Sequence, residues 1–253
     1  MKLTQHDIAR TLDISALKID TSYQDLVDMV DACKKYDIGC AFIWAGFSAD
    51  LGRMLKGTNT EFGTSLSFPS GQEITEAKVE QARYFMSLGA DQIDMVMNVG
   101  FLKSGFYDRA HDDIMAVRRV TKGCSLKVII EAMLLSDEQI VKACEIVRGC
   151  GCDYVKSGTG FQSAPTTLHH VALMKKTVGG ACKVKAAGGV RDVDTLVKMY
   201  ALGVNRFGIG MASALKILKQ AAQYPDGIEV PVLDLEEYAR PEAQQAAKEP
   251  EKY

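Results

Sequence analysis

The sequence predicts an α/β protein, a single (β/α)8 barrel of the TIM type with a polar C-terminal tail. Three observations carry that expectation. Short apolar strands alternate with amphipathic helices almost from end to end, the pattern of a parallel sheet. The strand candidates number eight. The length, 253 residues, sits close to the roughly 250 of such a barrel.

The candidate strands cover residues 12–15, 40–43, 63–67, 92–97, 126–131, 154–157, 183–187 and 206–209. Between them run helical stretches such as 75–88, 108–120, 166–177 and 192–202. Ser136 and Gln139 fit a capping box at a helix entry, and Ile140, Ala143, Cys144 and Val147 follow at helical spacing. A weak repeat recurs in Gly89-Ala-Asp-Gln-Ile-Asp94, Gly151-Cys-Asp-Tyr-Val-Lys156 and Gly203-Val-Asn-Arg-Phe-Gly208. Each copy stops a helix at Gly and starts a strand. Asp94, Lys156 and Gly208 are thereby expected at similar heights near the C-terminal ends of their strands, where such barrels keep their chemistry. An open doubly wound sheet is the alternative, but no Gly-x-Gly-x-x-Gly follows the first strand. After Gln223 the chain turns polar and proline-containing. The barrel is therefore expected over 1–223, with a surface-wrapping extension over 224–253 that ends in disorder.

Bulk composition excludes several function classes. Hydrophobic residues at 47% supply a large core, and a net charge of −2 gives no basic excess for nucleic acid or an anionic membrane. No apolar run is long enough to span a membrane, and the polar N-terminus lacks the apolar stretch of an export signal. Seven cysteines at irregular spacing point to reduced thiols and a cytoplasmic setting. Cys150-Gly-Cys152 matches neither a zinc pattern nor the Cys-x-x-Cys redox motif, so buried structural thiols, no metal and no cofactor are expected.

Three strands carry ionisable residues among apolar neighbours: Asp94 in IDMVM, Lys156 in YVKSG and Lys185 in KVKAAGG. Burying an unpaired charge is expensive, so such residues are paired, neutralised or functional. Two lysines kept close suit amine nucleophilic chemistry. An ordinary Lys is unprotonated in roughly one molecule in 2500 at pH 7, and a nucleophile needs a pKa lower by about three units. Burial and a second ammonium both push downward, while a carboxylate can shuttle protons. Lys183 shares a strand face with Lys185, but Lys185 lies nearer the C-terminal end. The Gly188-Gly189-Val190-Arg191 and Gly208-Ile209-Gly210-Met211 loops follow the last two strands, where this fold often binds phosphate. Gly188, Gly189, Arg191, Gly208 and Gly210 are the candidate phosphate contacts.

Beyond these patterns stand longer motifs: Phe68-Pro69-Ser70-Gly71 leading to Thr75-Glu76-Ala77-Lys78, QIDMVMNVGFLKSG at 92–105, LKVIIEAMLLSDE at 126–138, DYVKSGTGF at 153–161 and VKAAGGVRD at 184–192. With them, residues 12–215 resemble the deoxyribose-phosphate aldolase family. The resemblance implies Lys156 as the Schiff-base lysine, Lys185 as the second lysine, Asp94 as the acid/base carboxylate and Asp13 as a supporting acid. It implies no metal, and reversible cleavage of 2-deoxyribose 5-phosphate to acetaldehyde and glyceraldehyde 3-phosphate. The partners implied are small sugar phosphates and aldehydes, and a homo-oligomer is compatible. Some family members end in a Tyr that reaches the site, so Tyr253 is a further candidate. Departures cluster around the substrate shell. The family's Lys-Thr-Ser-Thr-Gly becomes Lys156-Ser157-Gly158-Thr159-Gly160. Its Asp-His-Thr becomes Asp13-Ile14-Ser15, its Cys-Val-Asn-Pro strand Ala41-Phe42-Ile43-Trp44, and its Gly-Thr-Ser-Ser loop Gly208-Ile209-Gly210-Met211. A paralogue for a different or unphosphorylated sugar, a catalytically silent sugar-phosphate-binding barrel, and an isomerase using Asp94 as base are the competing readings.

Overall fold

The computed structural model describes residues 1–241. The strands are β1 (Lys2–Leu3), β2 (Leu12–Ala16), β3 (Cys40–Ile43), β4 (Glu61–Leu66), β5 (Gln92–Val96), β6 (Ser125–Ile129), β7 (Tyr154–Lys156), β8 (Lys183–Ala187), β9 (Arg206–Gly210) and β10 (Ile228–Glu229). Strands β2 to β9 pair in parallel in chain order, and β2 closes on β9, making an eight-stranded barrel. All eight expected strands are present, shifted by a residue or two at their ends. The helices Thr75–Ser87, Tyr107–Val120, Leu168–Val178 and Val193–Ala201 occupy the stretches read as helical. Ser136 and Gln139 form the expected reciprocal cap on the helix Asp137–Gly149, and Thr4, Ser22 and Thr167 open three more helices in the same way. None of the described helices is long and apolar enough to cross a membrane.

The repeat has a structural reason. In each copy the Asp or Asn after the helix-stopping Gly extends the ladder of the preceding strand. Asp91 donates its N–H to the Phe62 carbonyl and accepts from the Phe62 N–H (2.8 Å). Asp153 does the same to Leu126 (2.9 Å) and Asn205 to Val184 (3.1 Å). A short carboxylate or amide reaches back to the entry of the neighbouring strand, and register is fixed at three points of the barrel. The convergence of Asp94, Lys156 and Gly208 holds, although not by equal register. Asp94 pairs with Lys127 and Lys127 with Tyr154, so Lys156 lies two residues further along.

Alternation of side chains divides the core in two. Leu12, Ile14, Ile93, Met95, Leu126, Val128, Val155, Val184 and Phe207 are buried in the apolar cluster that the barrel shares with its helices. The other face of the same strands, turned inward, carries Asp13, Phe42, Asp94, Lys127, Lys156 and Lys185, which contact one another. All seven cysteines are free and buried, Cys150 and Cys152 among them.

Residues 224–241, the described part of the expected extension, contain regular structure. Strand β10 pairs antiparallel with β1, and the helix Leu235–Tyr238 docks on the helix Leu168–Val178, where the Tyr238 carbonyl meets His169 Nδ1 at 2.9 Å. Ile228, Val230, Leu233 and Leu235 supply the apolar contacts that the polar composition hid. Tyr253 lies outside the described residues.

One buried ion pair ties the outer helices to the barrel mouth. Lys78 Nζ meets Asp113 Oδ2 at 2.6 Å and donates to the Gly71 carbonyl at 2.9 Å, pinning the turn that carries Phe68. Neither charge reaches solvent, so removing one partner strands the other. Lys78→Met is expected to lower unfolding stability by about 3–5 kcal/mol, read from urea melts, whereas loss within 1 kcal/mol would show that the pair is replaceable.

Candidate active site

At the centre of the site is the Asp94 carboxylate, fully buried on β5. Its Oδ2 accepts from Lys156 Nζ at 2.8 Å and from Lys185 Nζ at 2.6 Å. Its Oδ1 faces Lys127 Nζ at 3.5 Å. Asp13, on β2, stands 2.6 Å from Lys185 Nζ, 3.6 Å from Lys127 Nζ and 3.3 Å from Arg206 Nη1. Arg206 is in turn paired with Glu61. The four expected residues Lys156, Lys185, Asp94 and Asp13 thus form one cluster. Lys183 belongs elsewhere: it is exposed at the start of β8, with its ammonium over the Tyr154 ring.

Burial governs the protonation of Lys156, which is 6% exposed. It drives the pKa down to about 8; Asp94 pulls back up and the Lys185 ammonium pushes down. About a tenth of the molecules would then carry a free amine at pH 7, against roughly one in 2500 for an ordinary Lys. Burial alone would raise Asp94, but Lys156, Lys185 and Lys127 outweigh it and hold the carboxyl well below the usual range. Asp13 is likewise lowered, with burial opposed by Lys185, Lys127 and Arg206. Both carboxylates stay ionised, and the amine of Lys156 is the group poised to change state near neutral pH.

Two residues of this cluster escaped the sequence reading. Lys127 sits in LKVII, its charge placed in register with Asp94; the signal was a Lys at an inward position of a strand run otherwise apolar. Arg206 opens β9 and holds Asp13 from the far side. Glu131 is a third. It is buried in a left-handed conformation (φ 54°) and accepts from the Thr159 N–H at 2.9 Å and the Thr159 hydroxyl at 2.7 Å. It thereby holds the loop that follows Lys156.

Above the cluster opens a cavity of about 600 Å³ at the C-terminal ends of β2, β7, β8 and β9. Gly188, Gly189, Arg191, Gly208 and Gly210, the five candidate phosphate contacts, all line it. Gly210 leads into the helix Met211–Ala221 with no side-chain cap, so the first backbone N–H groups of that helix are free for an anion. Ser213 and Lys18 also line the cavity and were not foreseen. Gly208 joins cavity and cluster: an added Cβ would lie 2.9 Å from Ala187 Cβ and 3.1 Å from Lys185 Cε. Glycine is needed there to leave room for the lysines.

The sequence departures have steric partners. At Gly158 an added Cβ would meet Met133 Cε at 2.6 Å, so Met133 fills that space. The Ser157 hydroxyl contacts that of Thr166 (2.8 Å) and accepts from the Ala187 N–H (2.9 Å), riveting β7 to β8. The Phe42 ring, 4.2 Å from Lys185 Nζ, occupies space that a side chain at Gly63 would fill. Trp44, Phe68 and Phe161 form a wall of edge-to-face rings (centroids 5.3–6.2 Å apart), with Phe68 lying 5.9 Å from Lys156 Nζ.

The second ammonium gives a directional test. Lys185→Leu removes a positive charge that holds the proton affinity of Lys156 down, so the midpoint for amine reactivity should move up from about 8. Covalent capture of an aldehyde should slow at pH 7 and recover in part at pH 10; a pH-independent loss would assign Lys185 a direct proton-transfer role instead.

Comparison with known proteins agrees with the barrel fold. Residues 8–220 match the DeoC/LacD family aldolase profile. The deoxyribose-phosphate aldolase of Geobacillus sp. (strain WCH70) is 39% identical over 216 residues, covering 85% of this chain and 96% of that one. That of Finegoldia magna is 38% identical over 213 residues, 84% and 99% of the two chains. Among solved structures, the aldolase QR15 superposes with a TM-score of 0.81 at 30% identity, over 86% of this chain and 97% of its own. The tetrameric deoxyribose phosphate aldolase from Aeropyrum pernix shares the fold at a TM-score of 0.79 and 24% identity, over 86% and 92%. A profile spanning most of the barrel, joined to relatives of this identity, places the chain in the DeoC/LacD family of aldolases.

Proposed function

We propose that this carbon–carbon lyase is a class I aldolase that cleaves 2-deoxyribose 5-phosphate, or a closely related sugar phosphate, through a Schiff base on Lys156. The observation that carries the reading is a buried amine, its pKa brought down to about 8, hydrogen-bonded to an ionised carboxylate at the C-terminal end of a barrel strand.

In this reading the Lys156 amine adds to the C1 carbonyl of the open-chain sugar and water leaves, giving an iminium. The iminium withdraws electrons from the C2–C3 bond. Loss of the C3 hydroxyl proton breaks that bond, releasing glyceraldehyde 3-phosphate and leaving an enamine. Protonation at C2 and hydrolysis then free acetaldehyde and restore the amine. Asp94 touches Lys156 and Lys185 through the same oxygen, so it is suited to pass protons between them, with Asp13 steadying Lys185. Gly188, Gly189, Gly208, Gly210 and Arg191 would hold the phosphate in the cavity, whose helix N-terminus suits an anion.

A homo-oligomer is part of the proposal, supported by the Aeropyrum pernix relative described as tetrameric. So is a cytoplasmic setting, supported by seven free, buried thiols. We further divide the chain into a catalytic unit, 1–223, and an extension, 224–253. A role for Tyr253 stays within the proposal as a test: deleting Lys252 and Tyr253 should slow solvent proton exchange if that phenol assists the enamine step.

Lys156→Ala should remove cleavage and borohydride trapping together while the thermal melt stays cooperative. Turnover near wild type in that variant would take Lys156 out of the mechanism, whereas a natural sequence that shows neither cleavage nor borohydride trapping would make an isomerase or a silent binding barrel the better reading.

A second reading, an unphosphorylated sugar, draws on one observation: positions 208–211 offer the cavity no hydroxyl. Each missing hydrogen bond to a charged phosphate is worth roughly 1.5–3 kcal/mol, tenfold or more in affinity. Weak saturation by 2-deoxyribose 5-phosphate is therefore expected, with partial recovery in Met211→Ser. KM values for the phosphorylated and free sugar in both forms decide the matter. Tight phosphate-dependent saturation by the natural sequence would mean that backbone donors, Arg191 and Ser213 suffice.

A further inference from the structure

Lys127 is a fully buried ammonium that none of the proposed steps uses, and its surroundings define its task. On β5 it faces Asp94 Oδ1 at 3.5 Å and donates to the Gln92 side-chain carbonyl. On β2 it faces Asp13 Oδ2 at 3.6 Å. The rings of Phe42 and Tyr154 each lie 5.3 Å from its nitrogen, closing it off from water. From β3 the Cys40 thiol faces the cluster, and burial raises its pKa well above the ordinary value, so it is neutral. The remaining charges, Lys185, Lys156 and Arg206, approach from β8, β7 and β9 and share Asp94 and Asp13 with it.

Charge in this dry volume nearly balances without Lys156. Asp13 and Asp94 supply two negative charges, and Lys127 and Lys185 supply two positive ones. Arg206 is matched by Glu61. Lys156 is left as the amine whose proton neutrality does not require. Take Lys127 away, and the proton on Lys156 becomes the one that neutralises the second carboxylate.

We propose that Lys127 is a positioning residue that neutralises Asp94 and Asp13 from inside the barrel, so that Lys156 is free to give up its proton and act as nucleophile. It acts through Asp94 and touches no substrate. The inference rests on the reading of Lys156 as the nucleophile for its purpose, but not for its measurement. The proton affinity of Lys156 can be read without substrate.

The test is trace acetylation of the full-length protein with acetic anhydride across pH 6–11, with the labelled fraction of Lys156 quantified by mass spectrometry. Lys127→Met should raise the midpoint by about one pH unit or more, as expected when the ammonium that shares the Asp94 carboxylate with Lys156 is lost at an effective dielectric near 20. Asp13→Asn should lower it, and Lys127→Met with Asp13→Asn should return it toward wild type, since the pair restores charge balance. Opposite signs followed by cancellation are an electrostatic signature that a packing defect does not produce. Should Lys127→Met fail to fold, the lowered midpoint in Asp13→Asn and the near-normal midpoint in the double variant still decide. An unchanged midpoint in Lys127→Met, or a double variant as shifted as the single, overturns the proposal. Absence of aldehyde trapping in the wild type would instead count against the aldolase step alone.

Discussion

A carboxylate held between three amines is the constraint around which the interior of this barrel is arranged. Asp94 is buried without access to water, and its two oxygens are divided between Lys156 and Lys185 on one side and Lys127 on the other. Ions so deeply buried persist only when each charge is answered. The answer draws in β2, β4 and β9 through Asp13, Glu61 and Arg206, so seven of the eight barrel strands meet at one network, with β5, β6, β7 and β8 supplying the rest. The barrel interior, usually filled by branched apolar residues, is here given over to electrostatics. Apolar packing is left to the space between sheet and helices.

That division explains which features were legible in the sequence. Strand and helix existence follows from apolar periodicity, and the outer core preserves that periodicity without interruption. Asp94, Lys156 and Lys185 stood out because each interrupts an apolar run. Lys127 interrupts one just as plainly, in LKVII, but its carboxylate partners, Asp94 and Asp13, lie 33 residues or more away in the chain and its meaning appears only when β6 is laid beside β5. Arg206 and Glu61 sit at strand entries, where they interrupt no apolar run, and their link to Asp13 exists only once the barrel closes. The regular structure after Gln223 was hidden for a different reason. Its few apolar residues gain their value from docking on the helix Leu168–Val178 and on β1, contacts between segments far apart in the chain.

The charged network and the shell around the cavity are held by different physics. A network of mutually compensating charges resists piecemeal alteration, since removing one member leaves another unpaired. The surrounding shell is matched sterically, neighbour to neighbour, instead. Met133 fills the space beside Gly158, and Phe42 spreads where Gly63 has no side chain. Ser157 bridges β7 and β8 through its hydroxyl. A substitution in that shell can be absorbed by one neighbour, whereas one in the network leaves a charge unanswered.

The aromatic wall has an optical consequence. Trp44 is the single tryptophan of the chain, and its indole N–H donates to the Lys18 carbonyl at 2.7 Å. The indole packs against Phe68, which lies beside Lys156, and against Phe161, which is 45% exposed at the cavity. Indole emission from this protein therefore originates within a few side chains of the Lys156 amine. Any ligand that displaces water from the cavity or tilts Phe161 alters the surroundings of that lone fluorophore. The enzyme carries a native reporter of occupancy, readable by stopped-flow emission without a dye or an engineered label.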